Sequence, residues 1–249
     1  MSSLSNNYSL SECAQQLDKT LKTTFGQVRQ LVEETQALWK RVEAEGRQPA
    51  SKDLALLRPA INQQLLASGT FSCGGGIVLE PCCLADREMY LEWWYLADAG
   101  KTLPLRPNFD HRRENYYDYT EMPWYCRPRH TGKSVVEGPY IDLYGTNMYV
   151  LTFTIPIFVQ GRFIGVAGID LSLHSVERRL VRSLMRLERE VVLISSDERI
   201  IASNTANWMV GDLASNLLST IPLTGNRLAL PESEAGWSLV ILPGLRKVV

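Results

Sequence analysis

The sequence predicts an α+β fold in which a long amphipathic helix is followed by an antiparallel sheet and then by a smaller α/β module. Three observations support this prediction. Apolar or small residues recur in alternating steps of four and three between Leu10 and Val42, which is a helical period. Two runs that favour β-structure, at 147–158 and 162–171, are separated only by residues 159–161, as in a hairpin. Shorter strand-like runs then recur between residues 190 and 242.

The first helix is predicted to begin at a capping box, because Ser9 and Glu12 are spaced to satisfy first-turn donors. It is predicted to end at Gly46, since glycine favours a helix stop. About 36 residues at roughly 1.5 Å each give a helix of about 54 Å, which needs a packing partner along its length. Its heptad-like stripe fits either packing on the rest of the chain or a homodimer seam, and the two are compatible.

The elements between this helix and the hairpin are predicted one by one. A second helical stretch occupies 51–67, with a break near Pro59. Three glycines at 74–76 precede a short β run, and because no phosphate-loop pattern follows them, a bulge or tight strand entry is preferred. The aromatic run at 89–97 predicts a central strand. Residues 103–113, which include two prolines, predict a long loop.

The residues that point to a function lie between 117 and 170. An aromatic and acidic run at 116–125 is followed by Tyr140 and Asp142, and Asp170 closes the predicted hairpin. Antiparallel pairing of the hairpin strands would bring Asp170 back towards Tyr140 and Asp142. These side chains supply carboxylates and aromatic faces but no evident nucleophile. That inventory suits holding a cation better than breaking a bond.

A buried ammonium group needs opposite charge or aromatic faces, because an uncompensated ion in a low-dielectric pocket is costly. Asp142 and Asp170 would supply charge-assisted hydrogen bonds. Trp124, Tyr125 and Tyr140 would supply cation–π faces. Each of these residue types is also common in ordinary cores, so it is their joint order that favours a binding site.

The order of these elements resembles a Cache sensor domain of the double-Cache, PAS-like type, the ligand-binding module of many bacterial chemoreceptors and sensor kinases. The resemblance covers 74–171 and, more weakly, the remainder to 243. In the amino-acid- and amine-recognising members, a Tyr lies seven residues before a Trp-Tyr pair, followed by Tyr-x-Asp and by an Asp after the hairpin. The matching positions, which the resemblance implies as ligand-binding residues, are Tyr117, Trp124, Tyr125, Tyr140, Asp142 and Asp170.

One departure from that pattern bears on the ligand. Amino-acid-binding members of the family carry an Arg two residues before the Trp, where it pairs with the ligand carboxylate, and this chain has Met122 there. Amine-binding members lack that Arg, so the resemblance implies a biogenic amine, a polyamine or a quaternary ammonium compound. An amino acid or another carboxylate-bearing ligand is the alternative. Arg106, Arg112 and Arg113 are then the candidates for holding its carboxylate.

Composition argues against several other classes of function. A net charge of −1 with a pI near 6.3 gives no reason to expect a nucleic-acid-binding face. The five cysteines lack zinc-ligand spacing and no cofactor motif occurs, so neither a metal nor a cofactor is predicted. None of the three histidines accompanies a Ser or Cys elbow, which argues against an enzyme.

The predicted modules are the N-terminal helix at 1–50, the ligand-binding Cache module at 51–175 and a reduced second module at 176–249. No secretory signal and no run of about 18 apolar residues is visible, so a free-standing cytoplasmic protein is expected, with an excised extracytoplasmic sensor domain as the alternative. Ligand occupancy would change the conformation that an unidentified signalling partner or a homodimer reads. A non-catalytic coiled-coil interaction protein is the remaining alternative.

Overall fold

The computed structural model confirms the predicted α+β fold, with a long N-terminal helix, an antiparallel sheet and a second, smaller sheet. It describes residues 8–67, 71–97, 100–143, 148–215, 226–231 and 234–243. The helices are α1 (Leu10–Ala44), α2 (Ser51–Leu54), α3 (Arg58–Leu66), α4 (Pro123–Thr131) and α5 (Leu173–Leu184). The strands are β1 (Ser72–Leu79), β2 (Leu91–Ala97), β3 (Lys101–Pro104), β4 (Val135–Ile141), β5 (Tyr149–Val159), β6 (Arg162–Ser172), β7 (Val191–Ile194), β8 (Ile200–Ser203), β9 (Arg227–Ala229) and β10 (Ser238–Ile241).

The chain forms two compact units. The larger unit is Thr24–Ser172, and the smaller unit combines Met1–Thr23 with Leu173–Val249. These limits differ from the predicted module boundaries at 50 and 175, because α1 is divided between the two units and does not form a unit of its own. Among the described residues, no helix has both the length and the apolar character that crossing a bilayer requires.

Helix α1 begins with the predicted capping box. The Ser9 backbone N–H donates to the Glu12 carboxylate at 2.7 Å, and the Glu12 backbone N–H donates to Ser9 Oγ at 3.1 Å. The apolar stripe is buried within the chain, with Leu17, Leu21 and Val28 at most 3% exposed. The stripe is therefore not free to form a dimer seam, and a homodimer through α1 would have to use its polar face.

The larger unit is built on a six-stranded antiparallel sheet in the order β3-β2-β1-β6-β5-β4. Phe25 of α1 packs edge-on against Phe153 of β5 with ring centroids 5.2 Å apart, so α1 covers one face of the sheet. Side chains alternate between the faces of a strand. Thr154 therefore projects to the opposite face, where its Oγ1 donates to the carbonyl oxygen of Trp124 at 2.9 Å and fixes α4 against the sheet.

The glycine triplet lies inside β1 and serves close strand packing. Gly76 has φ +156°, and a Cβ added there would lie 2.0 Å from the carbonyl oxygen of Glu92 in the neighbouring strand. The register of β1 against β6 shifts between Ser72 and Gly74, which is the irregularity that the sequence predicted. A phosphate-binding role is not needed to explain these glycines.

Two elements of the larger unit differ from the sequence prediction. The long loop predicted at 103–113 begins with a paired edge strand, β3, whose Pro104 lies opposite Trp94. The segment after Met122 forms helix α4, with Pro123 in its first turn and Gly132 as a left-handed cap. Predicted strand residue Asn147 lies outside the described residues.

The smaller unit contains a four-stranded sheet in the order β8-β7-β10-β9. Its described core is aliphatic and includes Val192, Ile194, Ile200 and Val240. The strands predicted at 190–195, 199–203 and 237–242 are present as β7, β8 and β10, while β9 was not predicted. This unit thus supplies the second, reduced module that the sequence indicated.

Candidate functional site

The larger unit holds a small cavity, here called the acidic cavity, between the sheet and the segment that leads into α4. Its volume is about 30 Å³, which is room for about two water molecules. Five of the six sequence-predicted residues line it: Tyr117, Trp124, Tyr140, Asp142 and Asp170. The other described lining residues are Val78, Leu91, Trp93, Leu105 and Thr152. The five predicted residues, which are up to 53 positions apart in sequence, thus meet at one place, and Asp170 lies near Tyr140 and Asp142 as the hairpin prediction expected.

Asp170 is the most buried charged residue of the cavity, with 5% of its surface exposed. It lies on β6 opposite Gly74 of β1 and Thr152 of β5, so it projects from the middle of the sheet. The pKa of its carboxyl group is raised to about 7, chiefly by burial. The hydrogen bond from Thr152 opposes this rise, and the charge of Asp142 adds to it. The carboxyl group therefore titrates near neutral pH.

A short hydrogen-bond chain orients Asp170. Thr152 Oγ1 donates to Asp170 Oδ1 at 2.6 Å, and Thr152 Oγ1 lies 2.8 Å from the Tyr140 hydroxyl. Because a threonine hydroxyl has a single proton, its donation to Asp170 makes Tyr140 the donor to Thr152. Burial, and then the charge of Asp170, raise the pKa of Tyr140, which keeps this donor protonated.

Asp142 lies just beyond β4, where its backbone N–H donates to the carbonyl oxygen of Met148 at 2.9 Å. It is half-buried and lines the same cavity as Asp170. Because both carboxylates line one small cavity, they lie within electrostatic reach of each other, and the charge of Asp142 raises the pKa of Asp170. Both acidic side chains that the sequence singled out therefore act on one small volume.

The aromatic residues form a cluster beside these carboxylates. Trp124 lies in the first turn of α4 and is 8% exposed, while Tyr117 precedes it in the connecting segment and is 6% exposed. Tyr125 does not line the cavity. Its ring packs at right angles to Trp124, and its hydroxyl donates to Glu80 at 2.7 Å. The structure thus places Tyr125 as a neighbour of the lining, and its contact with a ligand stays a prediction.

Sequence reasoning missed Trp93 and Thr152. Trp93 is 8% exposed and lies on β2, two strands from Asp170. A Cβ added at Gly74 would lie 3.1 Å from both Asp170 Oδ2 and Trp93 Nε1, so the glycine leaves space that the carboxylate and the indole share. The predicted hairpin turn alone does not give the pairing of Thr152 with Asp170, because the strands shift register between Ile157 and Phe158.

The charge of the lining is one-sided. It contains Asp142 and Asp170, and no Lys, Arg or His occurs among the described residues that line it. Met122, at the position where the resembled pattern has Arg, packs against the aromatic cluster and does not line the cavity. Within the described part of the chain no group of three or more His, Cys, Asp or Glu side chains is arranged to hold a metal ion. The site is therefore suited to a positively charged group.

Comparison with known proteins places one segment, just under half of the chain, in a family. Residues 60–178 match the family model described as methyl-accepting chemotaxis protein-like, first PDC sensor domain. No curated protein sequence matches the chain. The segment 60–178 is a sensor domain that binds ligands, of the chemoreceptor type. It belongs to the PDC sensor domains, which are Cache domains with a PAS-like sheet, as the sequence resemblance implied.

Solved structures of the same fold cover nearly the whole chain. Methyl-accepting Chemotaxis protein X has a TM-score of 0.60 at 17% identity, with 92% of each chain covered. The ligand-binding domain of the Pseudomonas aeruginosa PAO1 amino acid chemoreceptor PctB, in complex with L-Arg, has a TM-score of 0.56 at 17% identity, covering 92% of this chain and 89% of that one. The domain of the Pseudomonas fluorescens chemoreceptor CtaA, in complex with L-valine, has a TM-score of 0.57 at 16% identity, covering 95% and 97%. At these identities the likeness establishes the fold.

Proposed function

We propose that the acidic cavity binds an amino acid in the broad sense, a metabolite that carries both an ammonium group and a carboxylate, and that occupancy is the signal. The ammonium group would lie against Asp142 and Asp170, with Trp124 and Tyr140 as aromatic walls. The observation that carries this proposal is the pair of carboxylates in one aromatic cavity, without a basic residue among its described lining. A cationic group would compensate the charge of Asp170, whose pKa is raised by its burial.

The fold neighbours support the carboxylate-bearing ligand over the simple amine that Met122 implied. The chemoreceptor domains named above were solved with L-Arg and L-valine, which both carry an ammonium and a carboxylate group. The free cavity of about 30 Å³ is too small for such a ligand, so binding would separate its walls. That movement gives the ligand different affinities for a closed and an open state, which is the requirement for a conformational signal.

A simple amine is the second candidate, because the described lining offers no cationic side chain that pairs with a carboxylate. Matched ligand pairs separate the two: L-arginine against agmatine, and L-valine against isobutylamine, each compared with isovalerate. Thermal shift and calorimetry are expected to show binding of the ammonium-bearing compounds and none of isovalerate. Tighter binding of the amino acid in each pair supports the first candidate directly. Tighter binding of the amine excludes a carboxylate beside the ammonium group, and leaves a simple amine or an amino carboxylate whose charges are farther apart.

The variant Asp170→Asn tests the cavity itself. Since the amide cannot balance an ammonium charge, we expect affinity to fall by at least about 100-fold, as for a desolvated charge pair that loses one partner. Asp110→Asn is the matched control, because Asp110 lies on an exposed loop where it pairs with Arg112. Binding that survives Asp170→Asn, or isovalerate binding as well as the amines, would rule the proposal out.

A further inference from the structure

The larger unit has a second recess that the acidic cavity does not include. It consists of two adjoining hollows of about 510 and 470 Å³, here called the basic groove. Lys52, Arg58, Arg87 and Arg106 line it, and Glu92 is the only carboxylate among its described lining residues. The groove is therefore net positive, in contrast to the acidic cavity beside it.

Only one of the four cations is neutralised within the groove. Arg58 donates two hydrogen bonds to the Glu92 carboxylate, of 2.9 Å from Nε and 3.2 Å from Nη2. The Glu92 carboxylate also accepts from the Tyr90 hydroxyl and from Trp94 Nε1, so its capacity is filled. Lys52, Arg87 and Arg106 form no hydrogen bond or ion pair with any described residue. The charges of Lys52 and Arg87 do act on the neighbouring Asp53 and Asp86, whose pKa values are lowered chiefly by other hydrogen bonds. The donor groups of all three side chains are therefore available to a ligand.

The groove and the cavity share a wall that is one layer of side chains thick. Leu91 and Leu105 line both recesses. They lie on adjacent backbone segments, because the Leu105 backbone N–H donates to the carbonyl oxygen of Trp93 at 2.8 Å. Both leucines are only partly buried, so moving their side chains apart would join the cavity to the groove. Arg106 follows Leu105 directly and lines the groove.

We infer that the basic groove is the subsite for a ligand carboxylate, reached from the acidic cavity past Leu91 and Leu105. This inference rests on the proposed function, since it assumes that the ammonium end is held at Asp142 and Asp170. The two charged ends of the ligand are then separated by at least the thickness of an apolar side-chain contact, about 4 Å. The preferred ligand class is an amino carboxylate whose charges are several bonds apart, and not an α-amino acid.

The chemistry of the groove fits this end of the ligand. Guanidinium groups bind carboxylates through paired N–H donors, and Arg87 and Arg106 are available for this geometry. In this inference Arg87 and Arg106 take the role of the Arg that the resembled pattern has at the position of Met122. They lie in a different place, beyond Leu91 and Leu105 from the ammonium site. Because these arginines are exposed, their contribution should weaken as the salt concentration rises.

Four probes with five carbons each test the inference by calorimetry: 5-aminopentanoate, pentylamine, L-norvaline and pentanoate. We expect 5-aminopentanoate to bind about tenfold more tightly than pentylamine, as a charge-assisted contact allows. L-norvaline should show no comparable advantage, since its carboxylate would stay in the acidic cavity. In the double variant Arg87→Gln with Arg106→Gln, the advantage of 5-aminopentanoate should fall below about twofold while pentylamine affinity stays unchanged.

The matched control is the double variant Arg112→Gln with Arg113→Gln, which removes the same two charges from exposed positions outside the groove. Shortening the probe to glycine is a second readout. A general attraction of the carboxylate to positive charge would still strengthen the binding of glycine, whereas a separate subsite would not, because the glycine carboxylate could not reach it. An advantage of 5-aminopentanoate that survives the double variant, or L-norvaline binding as tightly as 5-aminopentanoate, overturns the inference alone. If pentylamine does not bind, or binds equally to Asp170→Asn, the proposed function fails and the inference fails with it.

Discussion

Asp170 in the larger unit and Asn204 in the smaller unit are both polar residues buried beside a sheet, yet their surroundings differ. Asn204 is 6% exposed, and its side chain is fully used: it accepts from the Val191 backbone N–H at 2.7 Å and donates to the carbonyl oxygens of Leu184 and Arg189. Asp170 is 5% exposed, and within the described residues only Thr152 donates to its carboxylate. Burial alone therefore does not separate structural from functional polar residues.

The difference lies in whether the protein completes the hydrogen bonding. Buried polar groups are normally satisfied, and a group that is not needs a reason. Asn204 ties the end of α5 to the start of β7, which explains its burial in an otherwise aliphatic core. Asp170 is desolvated by its burial and lines the same cavity as a second carboxylate, and burial first and the charge of Asp142 second raise the energy of its charged form until a cation binds. Replacing Asn204 and Asp170 in turn tests whether the two residues differ in this way.

The largest effect on stability is expected from Asn204→Ala. The change leaves one buried N–H and two carbonyl oxygens without their partner, so the free energy of unfolding should fall by about 3 kcal/mol. Urea denaturation measures the loss, and Asn207→Ala, at an exposed position, is the control. Ligand affinity should not change in either variant. A loss below about 1 kcal/mol would mean that water replaces the amide, and that the contrast with Asp170 is weaker than described.

Asp170→Asn should act in the opposite direction on the ligand-free protein. A buried carboxyl group with a pKa near 7, against about 3.9 when unfolded, favours folding at low pH and loses that contribution as pH rises through 7. The variant lacks this loss, so its melting temperature should exceed that of the unsubstituted protein at pH 8 and match it at pH 4. Equal melting temperatures at both pH values would show that the charge of Asp170 is already compensated.

The same titration predicts the pH dependence of ligand affinity. An ammonium group binds the ionised carboxylate, so affinity should rise about tenfold between pH 6 and pH 8, with one proton released on binding near pH 6.

Thr152→Val removes the donor that lowers the pKa of Asp170, which should move this rise to higher pH and weaken binding severalfold at pH 7. Thr152→Ser keeps the hydroxyl and serves as the control. Calorimetry in buffers of different ionisation enthalpy measures both quantities.

These contrasts also show what the sequence could predict. The approach of Asp170 to Tyr140 and Asp142 follows from the predicted hairpin, whereas the family resemblance, and not local pattern, implied Tyr117 and Trp124 as site residues. Trp93 lies in the cavity only because β2 pairs with β1, which in turn pairs with β6, and no local signal specifies that order. Helix α4 was missed because its two prolines disfavour a helix, although Pro123 occupies the first turn, where the missing N–H costs nothing. The basic groove likewise combines segments whose charges look solvated when each is read alone.

The smallest effect is expected from Tyr125→Phe, which tests the one predicted site residue that does not line the cavity. The hydroxyl donates to Glu80, which also pairs with Arg129, so the change removes one hydrogen bond from a network that joins α4 to the end of β1. The free energy of unfolding should fall by about 1 kcal/mol, while ligand affinity should change less than twofold, because Trp124 keeps its anchor to Thr154. Tyr140→Phe is the matched comparison: it removes the donor to Thr152 and should weaken binding more than Tyr125→Phe does. If Tyr125→Phe weakened binding as much as Tyr140→Phe, the ligand would reach past Trp124, and the cavity would open towards α4 instead of towards Leu91 and Leu105.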